Sequence, residues 1–374
     1  MSVLVVTQFN PYDLTNGQSL IINNFIRCNQ NKTLDLLYFG EEDIQNKLPD
    51  NLYEIFNIKY KIYPLRIRIL KKYIFGNIFD RSLNNKKGFC SELLSKYDRV
   101  VFFFDPYDSL INFFSGIKVK NKILHVTDSV FLFESTKSQS FIKFLKMIIS
   151  RHVERQVLSL NYDSFIYVGE RDARYAEKIK PKRKSRILCL PQGVDTDTFY
   201  LLDEKKINKK LKILYSGNFE YTPNVKGAFY IVNEILPNLV GNFEVKFAGK
   251  GADKIDFKSK DPRLSIIGYV DNIADEYLDS DLFLAPLYEG AGLQNKILQA
   301  ISCGLVTIST PMVKESLSEI PNGLFIVNDS QQMINLINEF IGGKRSIYDY
   351  RDVLRQFALT KLGWKNRFEI ISNL

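Results

Sequence analysis

Apolar positions along this chain fall into two alternating rhythms. Short unbroken runs, VLVVT (Val3–Thr7), LDLLYFG (Leu34–Gly40), RVVFFFD (Arg99–Asp105), KILHVTD (Lys122–Asp128) and SFIYVG (Ser164–Gly169), predict strands buried on both faces. Helical spacing around Leu20–Arg27 and over Phe141–Leu160 falls between them. After RILCLPQGVDTDTF and the charged linker DEKKINKKLK the alternation resumes. ILYSGNF, FEVKFAGKG, LSIIGYV, LFLAPL and VTIST predict strands. NVKGAFYIVNEILPNL, NIADEYLDSD and a stretch placing Leu293, Ile297, Leu298 and Ile301 on one face predict helices. Gly304 stops the last of these. Strands alternating with helices in both halves predict an α/β protein of two Rossmann-like, doubly wound domains, 1–190 and 191–350, with a helical segment 351–374 closing the chain.

Composition removes several alternatives. The 374 residues suffice for two domains, and the 28 Phe and 20 Tyr supply their cores. Four scattered cysteines and two histidines argue against a disulfide framework or a zinc site. No stretch approaches the ~20 apolar residues that span a bilayer, and MSVLVVTQF reads as a first strand rather than a leader, so a cytoplasmic location is expected. The formal charge of +9 is uneven: residues 1–190 carry 30 Lys+Arg against 19 Asp+Glu. Lys59–Lys87 holds nine basic residues interleaved with bulky apolar ones, and Asp80 is its sole acid. That pattern predicts a basic helix on an anionic membrane surface, with Phe141–His152 as a second candidate; an amphipathic helix packed on its own sheet is the alternative. No nucleic-acid motif accompanies the charge.

Candidate chemistry gathers in YEGAGLQNKILQAISCGLVTIST (Tyr288–Thr310). A strand, a turn with Gly290 and Gly292, and a helix N-terminus make an anion site, because free N–H groups and the helix dipole point at the ligand. Lys296 adds a full charge one turn in, so a phosphate or diphosphate is the expected ligand. Gly17, in the first strand-to-helix turn, is either a second close approach to ligand or a plain turn glycine. Asp128 follows a buried run and could orient a hydroxyl; capping a helix, by Asp128 or Ser129, is the alternative. His125 reads as a core histidine. The pairs Asp195/Asp197 and Asp279/Asp281 read as structural, so no metal site is assigned.

Four segments together resemble retaining glycosyltransferases of family four, which have the GT-B fold: LPQGVDTDTF, ILYSGNFEYTPNVKGAFYIVNEILP, GYVDNIADEYLDSDLFLAPL and GAGLQNKILQAISCGLVTIST. The likeness covers residues 186–340 well and the first half in outline. It implies metal-independent transfer of a sugar from a nucleotide-sugar donor to a saccharide or lipid-diphosphate-linked acceptor, in surface polysaccharide or glycolipid synthesis at the cytoplasmic membrane face. No cofactor beyond the donor is implied. By the resemblance Lys296, with the N–H groups of Gly292, Leu293, Gln294 and Asn295, holds the diphosphate. Glu289 contacts the donor sugar, and Val270 and Asp271 meet the base. Gly217 and its loop line the donor, and the terminal helix with Trp364 crosses back to the first domain. Two substitutions stand out: Gln299 replaces a ribose-binding Glu, and Asn218 replaces an Arg, leaving Lys226 and Lys250 as candidates for its charge. These departures motivate the alternatives of an inactive nucleotide-sugar-binding scaffold, a nucleotide-sugar epimerase, or an inverting transferase with Asp128 or Asp105 as base.

Overall fold

The computed structural model describes residues 2–13, 17–28, 34–44, 52, 54–62, 81–135, 141–181, 185–202, 210–286, 295–315, 317 and 319–372. The chain divides into two compact units, Met1–Leu190 and Pro191–Leu374.

The first unit is built on a seven-stranded parallel sheet. Its strands are β1 (Val3–Thr7), β2 (Leu34–Gly40), β3 (Glu54–Lys59), β4 (Arg99–Phe103), β5 (Lys122–Thr127), β6 (Ser164–Tyr167) and β7 (Arg186–Cys189). Their order is β3-β2-β1-β4-β5-β6-β7. Every residue of β1, β2, β4, β5 and β6 is buried, which is why these strands read as continuous apolar runs rather than alternating ones. Helices cover the sheet, and Phe39, Phe102, Phe104 and Phe114 interlock within its core.

The second unit holds a six-stranded parallel sheet. Its strands are β8 (Leu211–Ser216), β9 (Phe243–Ala248), β10 (Leu264–Gly268), β11 (Leu282–Ala285), β12 (Val306–Ser309) and β13 (Leu324–Ile326). The order β10-β9-β8-β11-β12-β13 reverses direction between β8 and β11, as the first sheet does between β1 and β4. In open α/β sheets ligands bind beyond the carboxyl ends of the strands at such a reversal.

The expected elements differ from the structure in three instructive places. Lys59, the start of the expected basic helix, is the last residue of β3, and Tyr60–Ile62 that follow are not helical. EIFNIK is half-exposed, with Ile55 and Ile58 buried, and so lacks the unbroken apolar run of the central strands. Residues 63–80 of that stretch lie outside the described residues; Arg81–Asn84 and Lys87–Ser95 are helical. The long helix expected from Asn224 is a helix over Thr222–Tyr230, a wider π turn over Ile231–Ile235 and a 3₁₀ turn over Leu236–Asn238. The tightening coincides with Pro237, which cannot donate a helical hydrogen bond. Helices run over Tyr348–Phe357 and Trp364–Ser372, with a π turn at Ala358–Leu362 between them. Arg355 fastens this segment within the second unit, donating to the carbonyls of Thr196 (3.0 Å), Phe199 (2.9 Å) and Ser302 (3.1 Å).

Candidate active site

The second unit's ligand edge is assembled from three strand ends. At the end of β8, Ser216 and Gly217 lead into a loop whose Asn218 side chain accepts from Glu220 N at 2.9 Å. At the end of β9 lies Gly249, with φ of +133°. A Cβ at Gly249 would stand 2.0 Å from Gly217 O, so the two glycine loops touch backbone to backbone only because Gly249 carries no side chain. Beyond β11, residues 287–294 lie outside the described residues, and with them Glu289, Gly290, Gly292, Leu293 and Gln294. The helix Asn295–Ser302 then carries Lys296 and Gln299 back toward β8.

Lys296 is buried, and its Nζ donates to Asn224 Oδ1 at 2.8 Å while lying 4.9 Å from the centre of the Tyr215 ring. Among the described residues no carboxylate pairs with it. Burial therefore pushes its ammonium down to about 7, against 10.5 for a free lysine. A buried cation held by a neutral amide is an incomplete electrostatic arrangement, which an anionic ligand would complete. Gln299 sits one turn on and accepts from Tyr277 OH at 3.1 Å; the same phenol meets Ser216 Oγ at 2.6 Å. A neutral amide thus occupies that position with its carbonyl already committed to Tyr277.

The remaining second-unit candidates lie farther out. Asn218, Lys226, Lys250 and Asp271 are exposed, and Val270 and Asn295 are half-buried. Lys250 forms an exposed ion pair with Glu220 at 3.0 Å. The two acidic pairs serve the scaffold. Asp195 accepts from Asp197 N and Thr198 N. Asp279 lies between Lys212 and Lys246, and Asp281 accepts from Lys212 N.

In the first unit, Asp128 stands at the carboxyl end of β5, behind Thr127, whose φ of +75° is unusual for a β-branched residue. Gln18, near the start of the Gly17–Arg27 helix, donates to Thr127 Oγ1, and His125 Nδ1 lies 3.2 Å from the same oxygen. His125 is a core residue as expected, stacked 4.9 Å from Phe103 and held down to about 4 by burial. Gly17 is the first helical residue, and a Cβ there would meet no atom of the described residues within 4 Å. Dense surroundings, and then the nearby Asp172 carboxylate, raise Asp128 to about 7 although part of its surface remains open. The capping role falls to Ser129, whose Oγ accepts from Leu132 N at 3.2 Å.

Sequence reasoning missed the support beneath Asp128. Glu154, from the helix Phe141–Ser159, is buried and accepts from Ser129 Oγ (2.7 Å), Phe131 N (3.3 Å) and Tyr167 OH (3.3 Å), while Asp172 accepts from Ser129 N (2.7 Å). Burial raises Glu154 to about 7 against the pull of those bonds. Its position as the sole acid of a basic helix was the available signal.

Residues 210–342 match the family described as "Glycosyl transferases group 1". They form a glycosyl transferases group 1 domain. That domain marks the chain as a glycosyltransferase, and solved structures of the GT-B fold match along its whole length. Sucrose-phosphate synthase from Thermosynechococcus elongatus aligns with a TM-score of 0.71 at 12% identity, covering 100% of this chain and 98% of that one. HepE from Anabaena in complex with UDP gives 0.68 at 11% identity, with 100% and 99% coverage. WaaG, a glycosyltransferase of lipopolysaccharide biosynthesis, gives 0.65 at 14%, with full coverage of both chains. A comparison with curated proteins gives no sequence match. In this glycosyltransferase, Lys296 and both glycine loops fall inside the matched domain.

Proposed function

We propose that this glycosyltransferase moves a sugar from a nucleoside-diphosphate sugar to an acceptor hydroxyl, without a metal ion and with retention of anomeric configuration. The observation that carries the reading is Lys296, a buried ammonium at the β8–β11 reversal that no carboxylate among the described residues neutralises. In the reaction the bond between the anomeric carbon and the diphosphate oxygen breaks, and negative charge develops on the departing diphosphate. Lys296 stabilises that charge, the part a metal plays in other transferases. The acceptor hydroxyl attacks the anomeric carbon, and its proton passes to the departing phosphate oxygen. Glu289 and the N–H groups of Gly292 to Asn295 complete donor binding in this reading. The UDP bound to HepE supports a nucleotide donor.

Asp128 favours a second reading, inversion with Asp128 as base. Its carboxyl, raised to about 7, is tuned for proton transfer near neutral pH. Product configuration decides between them: an NMR spectrum showing the donor's anomeric configuration retained supports the first. Inverted product, lost in Asp128→Asn, establishes the second. Activity that vanishes with a chelator and returns with a divalent ion refutes metal independence.

The acceptor is proposed to be lipid-linked, as a saccharide on a lipid diphosphate at the cytoplasmic membrane face. The helix Phe141–Ser159 supports this with an outward stripe that exposes Phe144, Leu145 and Ile148 and then Arg151, His152 and Arg155. Its one acid, Glu154, faces inward. Among the described residues no helix is long and apolar enough to cross a membrane, so contact through this face would be peripheral. Sedimentation with anionic vesicles that is unaltered in Phe144→Ser/Ile148→Ser/Arg151→Ser would remove this assignment.

A further inference from the structure

Asn224 is where the parts of the second unit's ligand edge converge. It lies in the first turn of the helix Thr222–Tyr230 and is buried. Its Nδ2 donates to Asn218 O at 2.8 Å, its Oδ1 accepts from Lys296 Nζ at 2.8 Å, and its own carbonyl accepts from Tyr215 OH at 2.7 Å. Those two side-chain bonds fix which way the amide faces, since a carbonyl cannot donate and an ammonium cannot accept. A Cβ on Gly217 would come within 2.8 Å of Nδ2, so the glycine is what allows the amide to lie across the loop.

We propose that Asn224 is a positioning residue that couples Lys296 to the first glycine loop and holds its charge available for a nucleoside diphosphate. The inference rests on reading Lys296 as the diphosphate contact. The chemistry favours an amide over every other side chain of this length. A carboxylate in its place would also orient the ammonium, but it would neutralise the charge and repel the ligand's phosphates. An alkyl side chain would leave a buried ammonium with no acceptor and the Asn218 carbonyl without its donor. The amide supplies direction without charge. Its second arm ties that direction to main chain, so the loop and the lysine keep one register.

The test is calorimetric titration of the full-length protein with UDP, GDP and dTDP, and with the matching monophosphates, in wild type, Asn224→Asp and Asn224→Ala. We expect Asn224→Asp to bind the diphosphate at least tenfold more weakly while its ligand-free thermal stability falls less than that of Asn224→Ala, because Lys296 gains a counter-charge although the Asn218 carbonyl loses its donor. We expect Asn224→Ala to lose more affinity for the diphosphate than for the monophosphate. Equal diphosphate affinity in wild type and Asn224→Asp overturns the inference and leaves the donor reading standing. A variant in which stability and affinity fall together, for mono- and diphosphate alike, reduces Asn224 to scaffolding and also overturns it. If wild type binds none of the nucleotides, the donor reading itself fails and takes the inference with it.

Discussion

Replacing Lys296 with methionine should stabilise the ligand-free protein and make it indifferent to nucleotide. Burial lowers the ammonium from 10.5 to about 7. At about 1.36 kcal/mol per unit, carrying that charge inside costs on the order of 5 kcal/mol below pH 7, where both folded and unfolded chains hold the proton. Between pH 7 and 10.5 the unfolded chain binds more protons than the folded one, so wild-type stability rises with pH through that window. From pH 6 to 9 the gain is roughly 2–3 kcal/mol. Methionine keeps much of the volume and has no such slope, although it leaves Asn224 Oδ1 without its donor, a loss of about 1–3 kcal/mol. The variant should therefore exceed wild type most at pH 6 and least at pH 9. Urea unfolding followed by fluorescence reads this directly, because Trp364, the chain's sole tryptophan, packs at Gly193 inside the second unit. Saturating UDP should stabilise wild type by about 2.7 kcal/mol at a hundredfold excess over Kd and leave the variant unchanged. A difference between the two proteins that stays flat from pH 6 to 9 would refute the argument, since it would mean that Lys296 already has a counter-charge.

Three further outcomes are expected. Gly249→Ala should cost more than about 2 kcal/mol in thermal unfolding, because its Cβ meets Gly217 O at 2.0 Å and its φ is +133°; Gly343→Ala, also at positive φ but in open space, should cost only about 1. Asp128→Asn should flatten a loss of wild-type stability that accompanies rising pH: the raised carboxyl makes the folded chain bind the extra proton between its ordinary value of 3.8 and about 7. Chemical unfolding at pH 5 and 7.5 measures that difference. Arg355→Met should lower stability by about 2–4 kcal/mol, since it takes a donor from the carbonyls of Thr196, Phe199 and Ser302, of which Phe199 keeps the Ser302 hydroxyl; an unchanged midpoint would show those carbonyls find other donors.

The sheet strands were legible because both sheets are covered on two faces, so runs such as VLVVT and LFLA state their burial in composition alone. β3 was not, because EIFNIK is half-exposed and has neither an unbroken apolar run nor a strict alternation. Within the candidate site, Lys296 was visible through local spacing: a strand, glycines and a helix in one stretch of chain. Asn224 lies 72 residues away from its lysine, and no local pattern records such a contact. Thr127 was hidden for the same reason, and Glu154 showed only as the sole acid of a basic helix. Their roles depend on which side chains surround them, and only the folded sheet decides that.

The second unit is fastened at the place where it starts. Val194 N donates to Leu362 O at 2.9 Å, Trp364 N returns to Val194 O at 3.4 Å, and Arg355 reaches Thr196, 159 residues earlier. On a growing chain all six strands of that sheet are made before any of these partners exists. The segment from Val194 to Phe199 is thus among the first parts of the unit to be synthesised and among the last to gain all of its partners. Before Arg355 and Trp364 arrive, Phe199 already has Tyr277 and the Ser302 hydroxyl as partners, so a chain interrupted anywhere between β13 and Arg355 would hold a complete sheet and a beginning without its bonds to Arg355, Leu362 and Trp364.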